Sequence, residues 1–202
     1  MTEEQKLLQR VLDGDDEAFA EIVSLYEDKV YRLCLRMTGN RDDAEDLAQE
    51  AFVKAWRGLR FYKQEAAFST WLYRLTSNVC IDYLRREKRR PTQSLTADDD
   101  EKSMIEIPDP APTPHEQAQT REVRQCVAKA MKQLDEEFHL VLTLRVVDEL
   151  SYEEIAQITD LKVGTVKSRL ARAREKLRKI LLQNGNDLFS PNVKQDREED
   201  VL

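Results

Sequence analysis

Four of the six prolines in this chain fall within one short stretch, Pro108 to Pro114. No proline precedes Pro91, and only five glycines occur in 202 residues. Proline and glycine are the residues that break helices, so a long segment on each side of the proline cluster is free to be helical throughout. Apolar residues in both segments recur at helical spacing, and no alternating β-branched run interrupts them. The expected fold class is therefore all-α, with two small helical domains joined by a flexible linker. The expected divisions are a first domain over 1–90, a linker over 91–120, a second domain over 121–183 and a polar tail over 184–202.

Charge is the next constraint. The chain carries a net charge of −7, an unusual balance for a nucleic-acid binder, but the charges are segregated. Acids gather at Asp98-Asp99-Asp100-Glu101, around Asp42, Asp43, Glu45 and Asp46, and at Glu198-Glu199-Asp200. Bases gather at Arg85-Arg86, at Lys88-Arg89-Arg90 and in the last long helical stretch. A chain that is acidic overall and basic in patches should bind DNA weakly alone and rely on a partner. The linker holds seven acids against the single base Lys102. It has too little apolar surface to fold by itself.

The first segment reads as three long helices. Phe19, Ile22, Val23, Tyr26, Val30, Leu33, Cys34 and Met37 form one stripe, on a helix that follows Asp13-Gly14-Asp15 and ends at Gly39-Asn40. Asn40 then caps a second helix, with Asp43 in the reciprocal position of a capping box. That helix buries Ala44, Leu47, Ala48, Ala51, Phe52 and Ala55, turns Asp42, Asp43, Asp46 and Glu50 outward, and closes at Gly58. A loop from Phe61 to Phe68 leads to a third helix starting near Ser69 or Thr70, with Leu72, Leu75, Val79 and Leu84 inward. Aromatic residues in and beside this loop stand among Arg60, Lys63 and Arg74, a mixture suited to unstacked bases on a charged backbone. Core packing explains Phe68, Trp71 and Leu72 equally well, and Trp71 is expected to be largely core.

The second segment ends in the most informative pattern of the chain. Ser151 and Glu154 have capping-box spacing, so a short helix begins at Tyr152 and buries Ile155 and Ile158. A second helix begins near Gly164 or Thr165 with Val166, Leu170, Ala173, Leu177 and Leu181 as its apolar stripe. From Lys162 to Lys179 there are eight basic residues and one acid, Glu175. A basic amphipathic helix is commonly just a solvated one, but such a face normally mixes both signs. Behind a short capped helix, the pattern is that of a helix-turn-helix whose second helix enters the major groove. Ahead of it, Val123, Val127, Ala130, Met131 and Leu134 should line one helix, and Phe138, Val141, Leu142 and Leu144 to Val147 another.

Taken together, these segments resemble the bacterial extracytoplasmic-function sigma factors, in their envelope-stress-like sub-type, which give RNA polymerase its promoter specificity. The likeness runs nearly to Leu182. Asp43-Ala44-Glu45-Asp46-Leu47-Ala48-Gln49-Glu50-Ala51-Phe52 is similar to the family's polymerase-binding helix. Phe68-Ser69-Thr70-Trp71-Leu72-Tyr73-Arg74-Leu75 is similar to its promoter-melting segment. Leu150 to Ala156 and Val163 to Arg169 are similar to the domain that reads the −35 element.

The resemblance implies roles. Asp46, Gln49 and Glu50 would bind the clamp helices of core polymerase, although acids at a helix N-terminus are already explained by its dipole. Lys63, Phe68, Ser69, Arg74 and Asn78 would serve the −10 element. Lys167, Ser168, Ala171 and Arg172 would face bases of the −35 element, where arginine or lysine can pair with guanine and alanine can touch a thymine methyl. Thr165, Arg169 and Arg174 would hold phosphates and set register. The implied partners are core RNA polymerase, through its clamp helices and flap, promoter DNA and an anti-sigma factor. The free chain is expected to be a cytoplasmic monomer that responds to stress. The acidic linker would thread into channels that normally hold nucleic acid, as a mimic of phosphate charge or as a plain spacer. The tail receives no role.

Other classes fit less well. A helix-turn-helix activator or repressor acting without core polymerase would not need the two motifs of the first segment. Enzymatic activity is not expected, because no Ser/His/Asp, metal-ligand or phosphate-loop constellation occurs. No cofactor or metal is expected either. Cys34, Cys80 and Cys126 show no CxxC spacing and read as small buried residues in a reducing compartment. No apolar run reaches membrane length, and the opening Met1-Thr2-Glu3-Glu4 is no signal peptide.

Overall fold

The structure, a computed structural model, describes residues 2–64, 66–89 and 114–184. Most of the expected linker, through residue 113, and the tail beyond 184 lie outside the described residues. Every regular element among the described residues is helical, as expected.

The first domain holds α1 (Glu3–Leu12), α2 (Asp16–Thr38), α3 (Arg41–Gly58) and α4 (Phe68–Arg89). Thr2 and Gln5 form a capping box at the start of α1. Tyr26 donates its hydroxyl hydrogen to Glu4 at 2.7 Å, tying α1 to α2. Asp15 caps α2 by accepting from the Glu17 and Ala18 amides. Its stripe is buried at Ile22, Tyr26, Val30, Leu33, Cys34 and Met37. The helix ends at Gly39, whose φ of 66° is left-handed. A Cβ there would meet only the flexible end of the Lys132 side chain, which can move aside, so it is the left-handed turn that calls for glycine.

Asn40 caps α3 by accepting from the Asp43 amide at 3.2 Å. The reciprocal half of the expected box is not made. The Asn40 amide donates instead to the Thr38 hydroxyl, since aspartate is one methylene shorter than the glutamate that such a box uses. Past Gly58 a single 3-10 turn, Leu59–Phe61, leads into the loop. Helix α4 starts at Phe68, slightly earlier than expected.

The second domain holds α5 (Pro114–Lys132), α6 (Glu136–Leu142), α7 (Tyr152–Thr159) and α8 (Val163–Asn184). Helicity thus begins at Pro114, inside the stretch expected to be linker. The helix after Asp135 is short and runs into a π-helical turn, Thr143–Val147. This changes one expectation. Leu144 is buried, but Val146 and Val147 are 61% and 44% exposed, because a π turn shifts the register and rotates the following side chains outward.

The capping box at Ser151 and Glu154 forms in full. Asp160 at φ 57° reverses the chain between α7 and α8. Cys34 and Cys80 are buried, with sulfurs 3.7 Å apart across α2 and α4. Cys126 is only half-buried. Among the described residues no helix is long and apolar enough to cross a membrane, and none of the His, Cys, Asp and Glu residues cluster as a metal site would.

Candidate nucleic-acid interface

Helix α8 divides its residues by charge. Val166, Leu170 and Ala173 are buried against the rest of the second domain. Thr165, Lys167, Ser168, Ala171, Arg172 and Arg174 are all exposed. The 3.6-residue period does this sorting: an apolar stripe facing inward leaves the intervening positions outward. Lys167, Ser168, Ala171 and Arg172 form one continuous outward strip in the first two turns, where a recognition helix meets base edges.

The capped helix α7 supports that strip. The Tyr152 ring meets two cations, with the Arg145 guanidinium 5.0 Å and the Lys167 ammonium 5.4 Å from its centroid. Ring and cation attract at this range, so Tyr152 steadies Lys167. Arg145 is held further by donating to the Leu150 carbonyl at 2.8 Å. Neither residue was picked out from the sequence, where they are merely a tyrosine in a first helical turn and an arginine in an apolar run. Arg169 differs from its neighbours. Its guanidinium turns back to Glu137 of α6 at 2.9 Å and is 24% exposed.

In the first domain the expected −10 residues disperse. Lys63 and Asn78 are exposed, and Ser69 is half-buried. Phe68 needs correcting. It is 1% exposed and packs against Tyr26, Tyr62 and Trp71 with ring centroids 5.5–5.8 Å apart. A ring so enclosed cannot stack on a base, so Phe68 supports the loop from beneath. The aromatic presented to solvent is Phe61, 71% exposed, with the Arg60 guanidinium 4.8 Å from its centroid. An exposed ring beside an arginine suits a single-stranded base. Arg74 is committed to the second domain, donating from Nε and Nη2 to the Gln157 carbonyl at 3.2 and 2.5 Å.

A cleft of about 440 Å³ lies where α2, α4 and the helix-turn-helix meet. Lys29, Arg32, Arg36, Ser69, Thr70 and Tyr73 line one wall, with Asp148 and Glu154 opposite. Burial pushes the Tyr73 hydroxyl up to about 12, and Asp148 adds to that. Tyr73 is therefore a neutral hydrogen-bonding group here at any physiological pH.

Away from these faces, α3 turns Asp46 and Gln49 to solvent, with Glu50 half-buried. Glu50 pairs with Lys54 at 2.8 Å. Val53 and Trp56, 47% and 40% exposed, follow at helical spacing on the same side. An exposed tryptophan is a common anchor of protein interfaces, and here the ring is steadied edge-on by Phe19, with 4.9 Å between centroids. Val53 and Trp56 fall outside the inward stripe of Ala44, Leu47, Ala48, Ala51, Phe52 and Ala55, so the helical period itself leaves this apolar half of the α3 strip outward.

Comparison with known proteins adds independent findings. Residues 22–90 match the model of Sigma-70 region 2, and residues 124–177 match that of Sigma-70, region 4. The chain is 38% identical over 181 residues to the ECF RNA polymerase sigma factor SigW of Bacillus subtilis, covering 88% of this chain and 96% of that protein. It is 40% identical over 178 residues to the ECF RNA polymerase sigma-E factor of Escherichia coli K12, covering 85% and 91%. Among solved structures, CnrH in complex with the cytosolic domain of CnrY is similar at a TM-score of 0.62 and 23% identity, over 90% of this chain and 98% of that one. The sigma factor RpoE in complex with the anti-sigma factor NepR from Bartonella quintana is similar at 0.58 and 22%, over 81% and 96%. At such identities these two structures establish the shared fold.

Proposed function

The chain belongs to the extracytoplasmic-function RNA polymerase sigma factors, and we propose a division of that work among its own residues. As a sigma factor it directs core polymerase to promoters and starts transcription. In our reading Lys167, Ser168, Ala171 and Arg172 read bases of the −35 element, while Thr165, Arg169 and Arg174 hold phosphates. Lys63, Ser69, Arg74 and Asn78 serve the −10 element, with Phe61 in place of Phe68 as the stacking ring. Asp46, Gln49 and Glu50, extended by Val53 and Trp56, bind the polymerase.

The observation that carries this reading is the outward strip of α8. Its side chains are exposed together, and the helix is packed from behind by a buried stripe. Exposure alone would suit a solvated surface. Exposure of basic residues on the second helix of a helix-turn-helix suits the major groove. The chain supplies recognition and leaves the chemistry to the polymerase, in the cytoplasm. An anti-sigma factor is a further proposed partner, supported by similar folds whose structures include one.

The test is run-off transcription with core polymerase on a randomised −35 library. Arg172→Ala is expected to relax preference at one base step, since a bidentate arginine–guanine contact discriminates by roughly 1–3 kcal/mol. Arg174→Ala should weaken all promoters alike. Identical sequence preferences for wild type and Arg172→Ala would overturn the assignment.

A further inference from the structure

Helix α8 carries more positive charge than the described chain neutralises. Elsewhere cations find acids. Arg36 of α2 pairs with Asp148 of the second domain, with side chains 17% and 12% exposed. On α8 itself the cations nearest α6 do the same. Arg169 pairs with Glu137 at 2.9 Å, and Lys176 pairs with Asp135 at 2.6 Å. The outward cations are left over. Arg172 and Arg174 make no ion pair among the described residues, and Lys167 meets the Tyr152 ring rather than an acid. Arg178 and Lys179 share Glu175, each at 3.8 Å, with side chains 68% and 67% exposed. The helical period sets Lys167, Arg174 and Arg178 in one row and Arg172 and Lys179 in another, on either side of the outward face.

The sequence that follows supplies opposite charge. Helix α8 ends at Asn184. From Gly185 to Leu202 there are five acids, Asp187, Asp196, Glu198, Glu199 and Asp200, against Lys194 and Arg197. Four of the five fall within Asp196–Asp200. Their spacing suits the helix. Arg172 lies twelve positions before Asn184, about 18 Å along the axis at the helical rise. Asp196 lies twelve positions after it, and a flexible chain of that length has an r.m.s. span of about 19 Å. Lys167 and Asp200 extend the match, at about 26 Å of helix and about 22 Å of chain. An intramolecular contact is most favoured when tether and span agree.

We propose that the acidic segment Asp196–Asp200 folds back along α8 and pairs with its outward cations, so that the free chain masks its own recognition helix until a promoter displaces the segment. The inference rests on the reading above in which the outward strip of α8 meets DNA. Carboxylates then take the places that phosphates take on a duplex, and each cation covered this way is one fewer to displace counterions from DNA. Exposed pairs of this kind are individually weak and yield to salt. A random duplex has to displace them from solution. A promoter already held through its −10 element on the polymerase presents its phosphates intramolecularly and displaces them readily. The mask therefore acts against non-specific DNA, and it reconciles a basic recognition helix with a net charge of −7.

The test uses the full chain. Carbodiimide coupling joins a carboxylate directly to a lysine in contact with it, and peptide mass spectrometry identifies the pair. Coupling of Glu198 or Glu199 to Lys167 or Lys179 is expected, with a yield that collapses near 1 M salt, where the screening length is about 3 Å. Fluorescence anisotropy at low salt reads affinity for a random-sequence duplex. The variant combines Asp196→Asn, Glu198→Gln, Glu199→Gln and Asp200→Asn. Its control combines Asp16→Asn, Glu17→Gln, Glu27→Gln and Asp28→Asn, the same charge change on exposed acids of α2. Circular dichroism confirms that each is folded.

The variant should bind the duplex about fivefold more tightly than the control, as a chain does when its competent form rises from a fifth to nearly all of the population. Coupling to Lys54 or Lys88 in place of α8, or a yield indifferent to salt, overturns the docking. Equal affinities of variant and control overturn the masking. Adding Arg172→Ala and Arg174→Ala to the neutralised chain separates this inference from the reading beneath it. If salt-sensitive coupling to α8 is found, yet the neutralised chain binds duplex equally well without both arginines, the docking stands and the DNA-binding role of the strip falls.

Discussion

Single residues in this protein do more than their sequence context announces. His139 lies on a short amphipathic helix, and burial by α2 holds its imidazole down at about 4, from an ordinary value of 6.5. A hydrogen bond to the Arg36 backbone favours the charged form and fails to offset burial, and Lys132 and Lys88 add repulsion. A base whose folded-state pKa is depressed binds its proton more readily when unfolded. Stability is therefore full above pH 6.5 and falls as pH drops from there toward 4. That depression corresponds to about 3 kcal/mol at the acid end. Asp148 acts in the opposite sense nearer its own, raised pKa, so comparing variants isolates the histidine. Denaturant unfolding at pH 7 and pH 5 should show a loss in wild type that is much smaller in His139→Leu. Equal losses would remove His139 as the cause.

Individual elements show which signals act locally. The box at Ser151 and the caps at Thr2 and Asp15 form where side-chain chemistry places them, because capping needs only three or four consecutive residues. The boundary at Phe68 and the π turn after Leu142 depend on what lies opposite in space. Helix α3 offers a test at this scale. Its outward strip carries little of the core, so reversing Asp46 and Glu50 to lysine should leave the circular dichroism spectrum unchanged. Co-purification with core polymerase should drop at least about tenfold, since like charges set against a basic partner surface cost well over 1 kcal/mol. Undiminished co-purification would move the polymerase contact to another face.

For the whole molecule the proposed reading is that two domains, each weak alone, act as one. A fragment spanning 121–183 should show little sequence preference at physiological salt, with or without core polymerase. The full chain with core should be specific, because the second contact becomes intramolecular. Anisotropy with a promoter duplex measures this. Tight, specific binding by the fragment alone would indicate an activator that works without polymerase. The contact between the domains also bears on their independence. His139 and the first turn of α6 pack toward the first domain, and buried residues of both domains belong to one apolar cluster, so the halves share apolar surface that a reading of separate stripes does not register.

Much of this architecture is local, and for that reason was legible in the chain. Helical periodicity, caps and the proline cluster act over a few residues, and they determined an all-α, two-part protein with a basic recognition helix. The outward strip Lys167, Ser168, Ala171, Arg172 followed, because the same period that buries Val166 and Leu170 must expose it. Tertiary structure alone decided between residues with equal local credentials. Phe61 and Phe68 flank one loop, and only packing against Tyr26, Tyr62 and Trp71 makes the second core and leaves the first free. Val146 and Val147 look like core until the π turn rotates them outward. Arg36 and Asp148 are 112 positions apart. No periodicity can connect them, because burial of such a pair depends on how two domains meet rather than on any residue's neighbours in the chain.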